Sequence, residues 1–286
     1  MEPAPAPTTP RSRREWIYRH PLFVRLTHWI NVVCVVFLLG SGMQIFNAHP
    51  ALYFGDTSDA RPPVLAMRAA RDGNRVTGLT TVAGITFETT GVLGFSTSSD
   101  GMPAARGFPS WLTIPSYQDL ATGRLWHFLF AWIFVVNGAL YLLLALATGR
   151  AARELWPSGE QVRALGRTIG DHLRLRFPHG PEARHYNVLQ KLSYLGIAFV
   201  VLPVLVVAGL AMSPSLNAAF PWLPELFGGR QSARTFHFIA ATLLVLFALV
   251  HIVMVLVSGV WNNLRSMVTG RRSEEHTSEL QSYLNL

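Results

Sequence analysis

Residues 235–258 read TFHFIAATLLVLFALVHIVMVLVS, a 24-residue stretch that is apolar along almost its whole length and carries two histidines, His237 and His251. An α-helix needs about 20 apolar residues to cross a bilayer, so the stretch predicts a membrane-spanning helix. The histidines are 14 residues apart. At helical rise and twist that spacing is close to four turns and about 21 Å along the axis. Both imidazoles therefore leave nearly the same face, one toward each side of the membrane. Ionisable groups inside a membrane helix are costly and mark functional positions. Imidazole is a standard axial ligand of haem iron. The expectation is that this helix gives one ligand to each of two stacked haems. The alternative is two packed, hydrogen-bonded histidines near the water interface.

The rest of the composition agrees with a membrane protein. The 286 residues are 50% hydrophobic and 14% charged, against about 25% charge in soluble domains. The net charge of +8 comes almost wholly from arginine, since Lys191 is the sole lysine. On a membrane protein such charge sets topology rather than binding nucleic acid. Cys34 is the single cysteine. An intrachain disulfide and a cysteine-built zinc or iron–sulfur site are thereby excluded. No C-x-x-C-H motif is present, so a haem here is of the non-covalent b type.

Working outward, three further spans are expected at about 22–46, 125–147 and 188–212, with the fourth at 235–258. The fold class is an all-α integral membrane protein, a four-helix transmembrane bundle with a long extracytoplasmic first loop. The first span carries His28 and a small-residue patch, Gly40, Ser41 and Gly42. Small residues let a neighbouring helix or a flat macrocycle approach. The second span carries His127 in its first turn, and Pro203 is expected to bend the third. Residues 1–18, Pro/Ala-rich and then basic, are expected to form a disordered cytoplasmic tail rather than a secretory signal. Loop 47–124 is too long to be a simple turn. Its segment 78–94, GLTTVAGITFETTGVLG, predicts short strands or a hairpin. In the second connection, Val162, Leu165, Ile169 and Leu173 recur at helical spacing, as in a basic helix lying on an anionic membrane surface or packed against the spans. Residues 272–282, RSEEHTSELQS, read as a translated sequencing adapter, so 272–286 is set aside from function. The membrane domain is then 19–271.

Orientation follows from arginine asymmetry. Arg11, Arg13, Arg14 and Arg19 precede the first span, seven arginines lie between the second and third, and Arg265 and Arg271 follow the fourth. The short loop on the other side has Arg230 and Arg234. Both termini are expected in the cytoplasm, with 47–124 outside. His28 and His251 then lie toward the inner side, and His127 and His237 toward the outer. The four histidines form two depth-matched pairs, one pair for each haem iron.

The motifs RLTHW at 25–29, RLWHF at 124–128 and YNVLQK at 186–191, with the helix of His237 and His251, resemble the bacterial cytochrome b561 / nickel-hydrogenase b-type cytochrome family. The similarity spans roughly residues 19–270. The long first loop resembles the thiosulfate-reductase cytochrome b branch more than the hydrogenase branch. The resemblance implies two haem b groups and electron transfer between the quinone pool and an extracytoplasmic oxidoreductase, a molybdopterin enzyme being the better guess than a hydrogenase. The chain is expected to carry no catalysis of its own beyond quinone chemistry. Tyr186, Asn187 and Gln190, at the cytoplasmic start of the third span, are candidate hydrogen-bonding partners for that quinone, with helix capping the plainer role. The rival readings are a haem-free membrane anchor and a proton-relay transporter. The second would need carboxylates in the spans, and none is found.

Overall fold

A computed structural model describes residues 14–58, 61–149, 158–163, 166, 170 and 188–275. Among them, four helices are long and apolar enough to cross a membrane: α1 (Leu22–Asn47), α2 (Leu120–Ala147), α4 (Val188–Ala211) and α7 (Arg230–Val257). Leu125, Trp132, Val136 and Leu143 on α2, and Leu246, Val253 and Leu256 on α7, are exposed. Apolar side chains facing outward all along a helix are what hydrocarbon solvates. The chain divides into two compact units, one formed by the N-terminal stretch to Trp29 with residues from Leu249 onward, the other by Ile30–Ala248.

In the first unit the antiparallel strands β1 (Arg14–Tyr18) and β8 (Arg271–Glu275) pair, with Trp16 opposite Ser273. Strand β1 takes up the last five residues of the expected tail 1–18, and its partner β8 overlaps the segment 272–286 set aside as a translated adapter. The segment REWIY is rich in strand-forming aromatic and β-branched residues, unlike the Pro/Ala-rich part before it, which lies outside the described residues. Helix α8 (Val260–Thr269) precedes β8. The Trp29 indole donates to Met267 O at 3.1 Å and Arg25 to Val268 O, tying the start of α1 to α8.

In the second unit the long connection between α1 and α2 is largely β. Strands β2 (Ala51–Leu52), β3 (Leu65–Asp72), β4 (Arg75–Val82) and β5 (Ile85–Glu88) form one antiparallel sheet in chain order. Strands β6 (Gly94–Thr97) and β7 (Pro103–Arg106) form a second ladder. The hairpin expected within 78–94 is β4–β5. The glycines that interrupt this segment allow close backbone crossing. Gly94 has φ +77°, and a Cβ there would lie 2.6 Å from Arg68 O, while one on Gly78 would strike Leu93 O. Buried Arg106 organises the return to α2, donating to Phe108 O at 2.8 Å, Thr113 Oγ1 at 3.0 Å and Ser116 O at 3.3 Å. Burial pushes its guanidinium below the usual arginine value.

The connection is fastened to the helices at both ends. Phe46, Leu52 and Met67 form a buried cluster with Phe108 and Phe238 against it. Gly55 O accepts from Gln231 N at 3.0 Å and Ser232 N at 3.1 Å, and Asp56 Oδ1 accepts from Arg230 N at 3.3 Å. These are orphan donors of the first turn of α7. That explains why α7 begins at Arg230 and not at 235, where the apolar run begins. Likewise α2 begins at Leu120 rather than 125, because Asp119 accepts from Ala121 N at 2.9 Å and Thr122 N at 3.3 Å. Those hydrogen bonds, led by the one from the Thr122 hydroxyl, hold its carboxyl below the usual aspartate value.

Ahead of Pro203, where a bend is expected, the helix makes a π-helical turn, Ile197–Val201, with Leu202 N–H donating five residues back to Ile197 O. Proline cannot donate to the carbonyl four residues earlier and crowds it, and a widened turn relieves both. Between α2 and α4 only the short helix α3 (Gly159–Arg163) and two single residues are described. Most of the expected amphipathic helix therefore lies outside the described residues. Two short helices, α5 (Pro214–Ala219) and α6 (Trp222–Glu225), join α4 to α7.

Candidate functional site

The four histidines meet in two pairs. In the second unit His127 of α2 faces His237 of α7, with ring centroids 6.1 Å apart and planes at 63°. In the first unit His28 of α1 faces His251 of α7, with centroids 6.4 Å apart and planes again at 63°. All four side chains are half-buried.

The His127/His237 pair is held from behind by the other two spans. His237 Nδ1–H donates to Leu205 O of α4 at 2.8 Å. Its ring lies against Gly209, where a Cβ would come within 3.2 Å of Cε1. His127 Nδ1 lies 3.1 Å from Ser41 Oγ of α1, with the Leu38 carbonyl on the same side of the ring. Its ring lies against Gly42, where a Cβ would be 3.4 Å from Cε1. The device is the same twice: a helical carbonyl with a glycine four residues on. Residues i and i+4 lie on one helix face. Without a Cβ at the second position, a ring from the next helix reaches the carbonyl. With Nδ1 of His237 occupied as donor to a carbonyl, the lone pair of that neutral imidazole is on Nε2.

This arrangement suits an iron. An iron bound at about 2 Å by each of two imidazoles sets their ring centres about 6 Å apart. Ligating histidines almost always donate their other ring N–H to a carbonyl, carboxylate or water. Among the described residues no three His, Cys, Asp or Glu side chains converge on one metal position. Two imidazoles are few for an ion held by protein alone, and fit one whose equatorial ligands a porphyrin supplies.

Of the candidate quinone residues, Tyr186 and Asn187 lie outside the described residues. Gln190 is half-buried in the first turn of α4, beside buried Lys191. Residues that sequence reasoning passed over are Ser41, noted only as part of a small-residue patch, and Gly209. Leu38 and Leu205 contribute backbone oxygens, which side-chain identity does not signal. A second polar tie, Asn137 Nδ2 to Asn31 Oδ1 at 2.8 Å, joins α1 to α2.

The family model described as prokaryotic cytochrome b561 matches residues 19–270, and the chain belongs to that family. It is an integral membrane b-type cytochrome, a haem b protein of electron transfer. A relative in Azospira oryzae (strain ATCC BAA-33 / DSM 13638 / PS), named "Putative protein-methionine-sulfoxide reductase subunit YedZ1", is 29% identical over 236 residues, covering 82% of this chain and 89% of its own length.

Proposed function

We propose that His127 and His237 are the axial ligands of one haem b, that His28 and His251 are those of a second, and that the chain carries electrons between a membrane quinone and a catalytic oxidoreductase subunit outside the cytoplasm. The observation that carries this reading is the meeting of the four histidines in two pairs with ring centroids 6.1 and 6.4 Å apart. Bound haem supplies one-electron exchange. The protein's own part is to fix both imidazoles and keep Nε2 unprotonated. The pairs share α7, along which His237 and His251 are 14 residues apart. Helical rise makes that about 21 Å, most of the hydrocarbon thickness.

The relative's name favours a catalytic partner that reduces sulfoxides, and a molybdopterin enzyme is the proposed class. The arginine asymmetry supports an orientation with both termini in the cytoplasm and the β-rich connection outside. Tyr186, Asn187 and Gln190 are the proposed quinone-binding residues on the cytoplasmic side.

A pyridine haemochrome assay on the purified chain is expected to give two haem b per polypeptide. One or none overturns the two-haem reading. Gly209→Val is a finer test. With an added Cβ 3.2 Å from His237 Cε1, and two more methyls, the imidazole must move. Haem affinity at that pair is expected to fall about 10- to 100-fold, the usual effect of disturbing a ligand's support. Gly42→Ala, whose Cβ meets the His127 ring at an ordinary 3.4 Å, is expected to keep its haem. Equal loss in both variants, or in neither, counts against the assigned cradle.

A further inference from the structure

We propose that Ser41 is a positioning residue for His127, accepting its Nδ1–H so that Nε2 is left for iron and the reduction potential of that iron is lowered. The proposal rests on haem ligation by His127. Ser41 is fully buried. Its Oγ lies 2.5 Å from Phe37 O and 3.1 Å from His127 Nδ1. A hydroxyl has one proton and two lone pairs, and a carbonyl can only accept. The proton is committed to Phe37 O, so toward His127 the hydroxyl can only accept. Nδ1 must therefore carry the ring proton, which leaves the Nε2 lone pair for the metal.

A serine bonded to its own helix four residues back is ordinary, but that habit accounts for the Phe37 contact and not for the approach to His127. The twin cradle on α4 makes the comparison. There Leu205 and Gly209 stand where Leu38 and Gly42 stand on α1, and the position matching Ser41 is Ala208, also fully buried. Alanine satisfies the packing there, so the hydroxyl on α1 is an addition to it. An acceptor on Nδ1–H makes the imidazole a stronger donor. Stronger donation favours ferric over ferrous iron, and hydrogen bonding behind the ligand is one of the levers on haem potential.

The test is a redox titration of the purified holoprotein with Ser41→Ala and Ser41→Cys. Cysteine keeps the shape but its sulfur is a weak acceptor. In both variants haem content stays at the wild-type value. The haem that His127→Ala removes shifts at least threefold toward its reduced form, which is about 28 mV upward at 59 mV per decade for a one-electron couple. Its partner haem does not move. Full haem content with unchanged potentials overturns the proposal. So does loss of that haem from both variants, which marks Ser41 as packing alone. If His127→Ala retains both haems, the ligation reading fails instead, and the two failures are distinguishable.

Discussion

Under the proposed ligation, His127→Ala is expected to lower haem content from two per chain to one, leaving the spectrum of the haem at the His28/His251 pair unchanged. The substitution removes one axial nitrogen and leaves His237, 6.1 Å away by ring centroid, without its counterpart. Ser41 keeps its hydrogen bond to Phe37 O within α1, so the loss falls on the ligand itself. Imidazole added to the medium is expected to refill the position and restore the missing absorbance. His237→Ala should deplete the same haem, and His28→Ala and His251→Ala the other. Haem quantitation with low-temperature spectra reads each case. A stoichiometry that stays at two, or separate haems lost from His28→Ala and His251→Ala, would show the pairing to be wrong.

The spans were legible because they depend on length and periodicity. Length and apolarity mark α1, α2, α4 and α7, and the 14-residue interval puts His237 and His251 on one face of α7. The helix starts were not legible. Apolarity begins at residues 125 and 235, but the helices begin where Asp119, or Gly55 with Asp56, satisfy the first N–H groups. In the case of α7 the capping atoms lie more than 170 residues away in the chain. The support behind His127 and His237 was hidden for a related reason. It consists of two backbone carbonyls and two glycines, and a glycine's sequence does not say which ring it faces. In the connection the mixture of threonine, valine and glycine did announce strands. That Gly78 and Gly94 interlock β6 with β3 and β4 emerged only from the crossing itself.

That crossing decides how the partner surface is tested. Deleting the segment around residues 78–94 would remove the glycines that join the two ladders, and so unfold the connection as a whole. Strand β5 offers a gentler probe. It is the last strand of its sheet, exposed at every residue, with Ile85 63% and Phe87 52% exposed. Val82, which pairs with Ile85 across the hairpin, is exposed too. An exposed apolar edge is a template for another chain unless it is covered, and partners commonly dock by adding a strand to such an edge. The Arg75–Glu88 ion pair at 3.1 Å lies at the same edge, open to water, where it contributes little to stability. Ile85→Glu combined with Phe87→Glu places two carboxylates in the proposed contact. Neither side chain belongs to a buried cluster or to the histidine sites, so fold and haem content are expected to hold. Binding of the cognate catalytic subunit is expected to weaken at least tenfold, about 1.4 kcal/mol, with electron exchange between that subunit and the haems slowed in step. Stopped-flow haem oxidation by the partner reads this directly, with chemical reduction by dithionite as the control. A double variant that exchanges electrons with its partner at wild-type affinity would place the docking surface elsewhere on the connection, with exposed Trp111 and Tyr117, close in sequence to the start of α2 and His127, the next residues to change.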